Sequence, residues 1–298
     1  MTQLLGAINV WNPTHVAGFA IVVTAFLLGM IHGITPDEHT WPITFSYAVG
    51  GYSTRSGLRT GLTFSLAFTA QRALASELAY LGLARVFTFA TVDYVVYLVV
   101  GALMLAAGVL VVQKRRTFHL HLPGLRSHSA EDSHQHGEAV LRDPRWWMPA
   151  LHGFVAGWGF GAFAVIIYTV LAPAEHSAAW GWVPGAMYGL GTTAVQVLGG
   201  GLFGLIASRR GLSPDAIRRI ALHTAGNTLR WGGAAFMIGG ALGLLLPGAA
   251  GWSLTTGVHI HNLDHLGLSL VLVIVSVVGV GLTTLVRQTR REARMRPV

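Results

Sequence analysis

Cysteine is absent from the 298 residues of this chain, and charged residues are scarce at 11%. The first absence excludes disulfide bonds, thiolate metal sites and thiol-relay chemistry. The second leaves less than half the charge of an average soluble domain, in which about 25% of residues are charged. The sequence also contains no P-loop and no dinucleotide-binding fingerprint, so we do not expect this chain alone to be driven by ATP.

Apolar residues dominate instead, at 52% of the chain, together with 38 glycines. A run of about 20 apolar residues is long enough to cross a bilayer, and glycine lets transmembrane helices pack closely. The sequence therefore predicts an all-α, polytopic transmembrane helix bundle of about seven spans. The predicted spans lie near residues 16–34, 60–82, 94–113, 149–172, 183–207, 228–247 and 266–286. A shorter apolar segment, near 36–50, lies between the first and second spans.

The formal net charge of +8 is distributed in alternate connectors. Basic residues follow the first, third, fifth and seventh spans, and the other connectors have almost none. This is the positive-inside pattern, which predicts that the N-terminus is outside and the C-terminus inside. It is not the basic face of a nucleic-acid-binding protein, so we expect membrane lipid and no nucleic acid as a partner.

The two halves of the chain share short patterns. Ile31-His32-Gly33 matches Leu151-His152-Gly153, and Gly-x-x-x-Gly-Leu and Gly-Ala pairs follow in each half. Three spans per half would give units of opposite orientation, so we predict a 3+3 inverted repeat with one extra C-terminal helix. Against this, both histidines fall near the predicted cytoplasmic ends of their spans. The predicted divisions are a first transmembrane unit (1–113), a cytoplasmic loop (114–147), a second unit (148–248) and a C-terminal part (249–298) with an external loop, the last helix and a basic tail.

The first span is predicted to be broken. Gly33 and Pro36 disfavour a continuous helix, and proline moves the preceding Thr35 out of the α region. Thr35 then has the position of an N-cap, with Pro36 as the first helical residue and Glu38 completing a capping box. Helix breaks at membrane depth are tolerated where they are buried or line a cavity, and their free backbone groups can bind ions.

Imidazole and carboxylate groups surround this break. They suit Ni²⁺, Co²⁺, Zn²⁺ or Fe²⁺, and we predict His32, Asp37 and His39 as ligands, with Glu38 as the cap and His152 close enough to approach the break. The alternative is that the carboxylates only complement a helix N-terminus and that the histidines are interfacial.

The segment resembles the nickel/cobalt transporter superfamily, which includes uptake, efflux and urease-associated branches. That family binds its metal through a helical His-x-x-x-x-Asp-His signature. Here His32 and Asp37 reproduce the first part, His39 comes one residue late, after Glu38, and Thr35 stands where the family usually has another acid. The resemblance implies a secondary transporter of a divalent metal, favouring nickel or cobalt, with a metallochaperone as a possible partner.

Two further histidine clusters are candidate accessory metal sites. The first, in the predicted cytoplasmic loop, is either a weak metal collector or a solvated linker. The second, before the last span, is either an external metal port or a polar interfacial loop; His261 and His265 would share a helix face if the last helix began early. The residues are His119, His121, His128, His134 and His136 in the first cluster, and His259, His261, Asp264 and His265 in the second.

Several polar residues are candidate pathway groups. A charge such as that of Arg72 within a span is costly and usually functional. Glu77 lies about 140° from it around the helix, so we expect Arg72 to pair across helices. Gln71 and Gln196 are possible core contacts. A stripe of His223, Asn227 and Arg230 either lines a path or is interfacial.

The function we predict is alternating-access transport of a divalent transition metal in a prokaryotic cytoplasmic membrane, with no enzymatic activity and no cofactor besides the transported ion. The direction stays open, because the internal histidines favour efflux and the external ones uptake. Three alternatives remain: an exporter of another solute, such as an amino acid or a sulfur oxyanion, that Arg72 would bind; an intramembrane metalloenzyme; and a non-transporting partner of a metallochaperone or urease pathway.

Overall fold

The computed structural model is helical throughout its core. It describes residues 17–35, 40–51, 53–87, 90–114, 139–141, 145–159, 161–208, 213–246, 248, 253–255 and 265–294. The helices are α1 (Phe19–Ile34), α2 (Trp41–Gly50), α3 (Thr54–Leu78), α4 (Ala84–Phe87), α5 (Ala90–Val111), α6 (Met148–Ala156), α7 (Ala162–Ile166), α8 (Val183–Ser208), α9 (Pro214–Leu245), α10 (Leu268–Val273) and α11 (Thr283–Arg294). Three π-helical segments connect them: Ala79–Leu83, Ile167–Leu171 and Ile274–Leu282.

Two short antiparallel strand pairs accompany the helices. β1 (Val112–Lys114) pairs with β2 (Ala139–Leu141), which lies within the predicted cytoplasmic loop. β3 (Ser253–Thr255) pairs with β4 (His265–Gly267) immediately before the last helical segment. Since His265 lies in a strand and the helix begins at Leu268, the condition under which His261 and His265 would share a helix face is not met.

Three of the described helices are long and apolar enough to cross a membrane. They are Thr91–Val111, Pro214–Leu245 and Leu270–Arg294, and the apolar helix Phe19–Ile34 is shorter. This helical architecture is compatible with the predicted membrane protein.

The first predicted span is broken, as proline predicts, but its second helix begins later than expected. Thr35 ends α1 with extended backbone, and its hydroxyl donates to the His32 carbonyl at 3.1 Å. The next helix begins at Trp41, where Pro42 occupies the first turn and Thr40 precedes it. Thr35 thus contacts the carbonyl end of α1, and its predicted N-cap bond to the N–H of Glu38 falls outside the described residues.

The fourth predicted span, near 149–172, is not one continuous helix. α6 ends at Ala156, and α7 starts at Ala162 after Gly161 with extended backbone. Three glycines, Gly157, Gly159 and Gly161, lie in these five residues, and glycine is the poorest helix former after proline. A Cβ at Gly153 would clash with the Phe64 backbone of α3 and one at Gly157 with the Gln71 side chain, whereas one at Gly161 would meet nothing within 4 Å.

The sixth predicted span starts earlier than the apolar run near 228–247 indicates. α9 begins at Pro214, where the Ser213 hydroxyl accepts a hydrogen bond from the Ala216 N–H. Proline at the first helical position and serine before it are a strong helix start. Apolar composition located the middle of this helix, and the capping residues locate its beginning.

Glycines lie at the closest contacts between the paired helices that surround the core. A Cβ at Gly101 on α5 would lie 2.7 Å from the Gly233 oxygen on α9, and one at Gly233 would lie 2.6 Å from the Gly101 oxygen. α3 and α8 also touch through glycine, since a Cβ at Gly61 would lie 3.0 Å from the Gln196 oxygen. Close backbone contact of this kind is typical of packed membrane helices.

Candidate solute site at two helix breaks

His32 is buried next to the first break, in the last turn of α1, with a relative exposure of 2%. Its ring is stacked on Phe68 of α3, with centroids 6.0 Å apart, and lies 5.3 Å from the ring of Tyr188 on α8. The adjacent Gly33 allows this approach, because a Cβ there would lie 2.8 Å from the Val195 Cβ. The predicted ligand is therefore held in the core between three helices.

Gln196 bridges the two sides of the first break. Its amide nitrogen donates to the Gly33 carbonyl and to the Thr40 hydroxyl, both at 3.4 Å. Gly33 precedes the break and Thr40 follows it, so one α8 side chain contacts both helical ends. The other predicted groups at this break, Asp37, Glu38 and His39, lie outside the described residues.

Arg72 connects α3 to the second break. It is 1% exposed, and its guanidinium donates to the Gly159 carbonyl at 2.9 Å and to the Tyr168 hydroxyl at 3.1 Å. Gly159 lies between α6 and α7, where the carbonyls have lost their helical partners. As the spacing along α3 predicts, Arg72 bonds across helices. Its role at the second break could not be predicted before that break was known.

The same two aromatic rings contact polar side chains at both breaks. The Arg72 guanidinium lies 4.5 Å from the centroid of Phe68 and 5.4 Å from that of Tyr188. These are the same two rings that contact His32. A guanidinium over an aromatic face is stabilised by the ring quadrupole, most strongly where water is excluded. An imidazole at one break and a guanidinium at the other are thus held against one pair of rings, which the sequence analysis missed.

His152 lies on α6, four residues into the helix, and is also 2% exposed. Its Nδ1 is 3.1 Å from the Tyr47 hydroxyl of α2 and 2.9 Å from the Met148 carbonyl. Its Nε2 is buried without a hydrogen-bond partner among the described residues. The structure thus connects His152 to the helix that follows the first break, and Tyr47 was not among the predicted site residues.

Gln71 adds a second unsatisfied polar group beside the second break. The residue is fully buried, and neither amide atom has a hydrogen-bond partner within the described ranges. Its side chain lies against Gly157, where a Cβ would clash with Oε1. Buried polar groups without partners are costly, so each such group calls for a ligand, a water or a functional reason.

The other pathway candidates lie away from this core. Glu77 lies beside Gly181, and its Oε2 is buried with no hydrogen-bond partner in the described part of the chain. His223 and Asn227 are half-buried on α9, and Arg230 of the same stripe lies 5.0 Å from the ring of Trp231. The three residues of this stripe therefore lie on one helix.

No three His, Asp or Glu side chains come together in a metal-binding arrangement among the residues that the structure describes. The histidine cluster of the 114–147 loop and His259, His261 and Asp264 lie outside those residues. Of the predicted metal ligands, the structure thus places His32 and His152, each in a separate buried contact. A scan against protein-family models and searches of the curated proteins and the solved structures found no match for this chain.

Proposed function

We propose that this chain is an integral membrane transporter that moves a divalent transition metal, with nickel or cobalt favoured, by alternating access. The observation that carries the proposal is the buried polar core at two helix breaks, with His32 at one and Arg72 bonded to Gly159 at the other. Discontinuous helices whose freed backbone groups face a buried site are typical of secondary transporters.

The packing directions support seven spans of alternating orientation. Gly29 and Gly33 of α1 contact Tyr188 and Val195 of α8 in the same order, so these helices run parallel. α3 and α6 also run parallel, since Gly153 meets Phe64 and Gly157 meets Gln71. In an alternating seven-span topology the first and fifth spans point one way and the second and fourth the other, which agrees with both pairs.

The antiparallel pairs agree with the same topology. On α3 and α8, Gly57 lies against Gly200, whereas the later residue Thr69 lies against the earlier Gly189. α5 and α9 run antiparallel as well, since Gly240 meets Tyr94 and Gly226 meets Val111. The second span with the fifth, and the third with the sixth, should oppose each other in this way.

These contacts also favour an inverted repeat that relates α1–α5 to α6–α9. A two-fold operation exchanges equivalent contacts, and two such exchanges occur. Gly33 packs on the Thr192 carbonyl of α8, and the equivalent Gly153 packs on the Phe64 carbonyl of α3. Gly101 and Gly233, which the sequence matched, contact each other's carbonyl. On this proposal the final helix is an addition to two three-span units.

The metal assignment rests on His32 and on the chemistry of the adjoining sequence. Imidazole and carboxylate are the donors of nickel, cobalt and zinc sites, and His39, Asp37 and Glu38 follow His32 closely along the chain. Rearrangement of the two units around the breaks would open the site alternately to each side. Neutral imidazole is needed for metal binding, so protons compete with the metal at such a site.

The direct test is flux into liposomes that contain the purified full chain. Initial rates for Ni²⁺, Co²⁺, Zn²⁺ and Mn²⁺ should fall at least tenfold in His32→Ala and His39→Ala. The matched control is His176→Ala, since this histidine lies exposed in the turn between Leu171 and Val183. Equal flux of every metal by the wild type and the His32 variant would refute the proposed site.

A second candidate, export of a small anion, is favoured by the buried Arg72 guanidinium. Two of its nitrogens already donate to protein groups, so an anion would have to compete with Gly159 and Tyr168. The same flux assay distinguishes between the two proposed functions. An anion exporter loses flux of sulfite or an amino acid in Arg72→Ala and keeps it in His32→Ala.

A further inference from the structure

Four arginines of α11 form one basic surface, which we call the arginine face: Arg287, Arg290, Arg291 and Arg294. All four are exposed, and they line a cavity of about 390 Å³. At about 100° per residue their spacing confines them to an arc of roughly 100° on one side of the helix. Their positive charges therefore converge on one open volume.

A salt bridge on the other side of α11 fixes the orientation of this face. Glu292 accepts two hydrogen bonds from Arg219 of α9, at 2.9 and 2.7 Å, and its side chain is only 8% exposed. The buried Leu285 lies on the same inner side of the helix. Glu292 is thus paired with Arg219 on the inner side, and Arg291 is the member of the arginine face whose charge also acts on its carboxylate.

The position of the arginine face along the helix places it at a membrane surface. The candidate span Leu270–Arg294 has 25 residues, which extend about 37 Å at 1.5 Å per residue. The hydrocarbon core is about 30 Å thick, so the last turns of the helix project beyond it. Basic clusters next to a span attract anionic lipid, and guanidinium groups bind phosphate oxygens in pairs.

We propose that the arginine face is a binding site for the phosphate-bearing headgroup of an anionic phospholipid, such as phosphatidylglycerol. The phosphate lies in the cavity among the four guanidinium groups, and the acyl chains follow the apolar surface of the preceding π-helical segment, where Val275, Val278 and Leu282 are exposed. A cavity needs only about 10–15 Å³ to hold one water, so a hydrated phosphate fits.

The test titrates the detergent-solubilised full chain with short-chain phosphatidylglycerol and counts bound lipid by native mass spectrometry. Arg287→Gln/Arg291→Gln should weaken binding about 30-fold, from the roughly fivefold expected per basic residue near an anionic lipid. The matched control is Arg55→Gln/Arg59→Gln, an exposed pair with the same spacing and the same predicted side. It should bind lipid as the wild type does.

Further arms of the titration separate the possible ligands. Phosphatidylcholine should bind at least tenfold more weakly than phosphatidylglycerol, and inorganic phosphate and a short DNA duplex should not compete at equal concentration. Arg290→Gln/Arg294→Gln serves as a second variant and should show the same loss. The proposal is overturned by an equal loss in the control pair, by equal binding of the two lipids, or by competition from free phosphate or DNA.

Discussion

Replacing Arg72 with methionine is expected to lower the free energy of unfolding by about 2–4 kcal/mol. The substitution keeps an unbranched apolar side chain but removes the donors to the Gly159 carbonyl and the Tyr168 hydroxyl. Each buried acceptor left without a partner costs about 1–3 kcal/mol. Loss of the cation–π contacts with Phe68 and Tyr188 adds to this cost, and relief from burying a charge offsets part of it.

The measurement is equilibrium unfolding in mixed detergent micelles. Arg230→Met is the matched control, because Arg230 is only half-buried and rests on the ring of Trp231, so its loss should cost less than about 1 kcal/mol. A double-mutant cycle with Tyr168→Phe should give a coupling of about 1–2 kcal/mol, since the second change removes a hydroxyl that the first has stranded. Equal costs for the two arginines, or a coupling near zero, would show that Arg72 does not stabilise the second break.

Two further predictions concern helix packing. Gly191→Ala should destabilise the protein by about 1–3 kcal/mol, because the new methyl group would clash with the Phe26 carbonyl. Gly199→Ala on the same helix is the control, since its methyl group meets nothing within 4 Å and should be neutral or stabilising. Equal melting temperatures of the two variants would contradict the packing. A double-mutant cycle of Arg219→Gln and Glu292→Gln should give a coupling of about 1 kcal/mol in the free energy of unfolding, because the salt bridge is bidentate. The coupling should decrease with added salt, because Arg219 is 48% exposed. Additive effects of the two substitutions would mean that the salt bridge contributes nothing to stability.

Local chemistry predicted the helical architecture better than it predicted the helix ends. The apolar runs located the helical segments, and Pro36 correctly placed the end of α1 at the preceding residues. The start of α9 at Pro214 was missed, because the first turns of that helix are too polar to register as a membrane span. Its capping residues, Ser213 and Pro214, carried the information.

Several polar residues of the buried site were predicted, but the aromatic residues that connect them were not. Arg72 was singled out because a charge within a span is costly, and His32 because imidazole and carboxylate groups surround the break; both are almost fully buried. Their shared contact with Phe68 and Tyr188 depends on how distant helices pack, which spacing along one chain does not contain. The second break left a local signal, three glycines in five residues, which the prediction of one span near 149–172 did not take into account.

The contact between Gly101 and Gly233 has a genetic consequence. A Cβ added to either glycine would lie within 2.7 Å of the other residue's carbonyl oxygen, and neither residue has a side chain that could shrink to make room. A larger residue at one position therefore has no reciprocal suppressor at the other. Second-site revertants of Gly101→Val should map to residues that let α5 and α9 move apart, never to position 233.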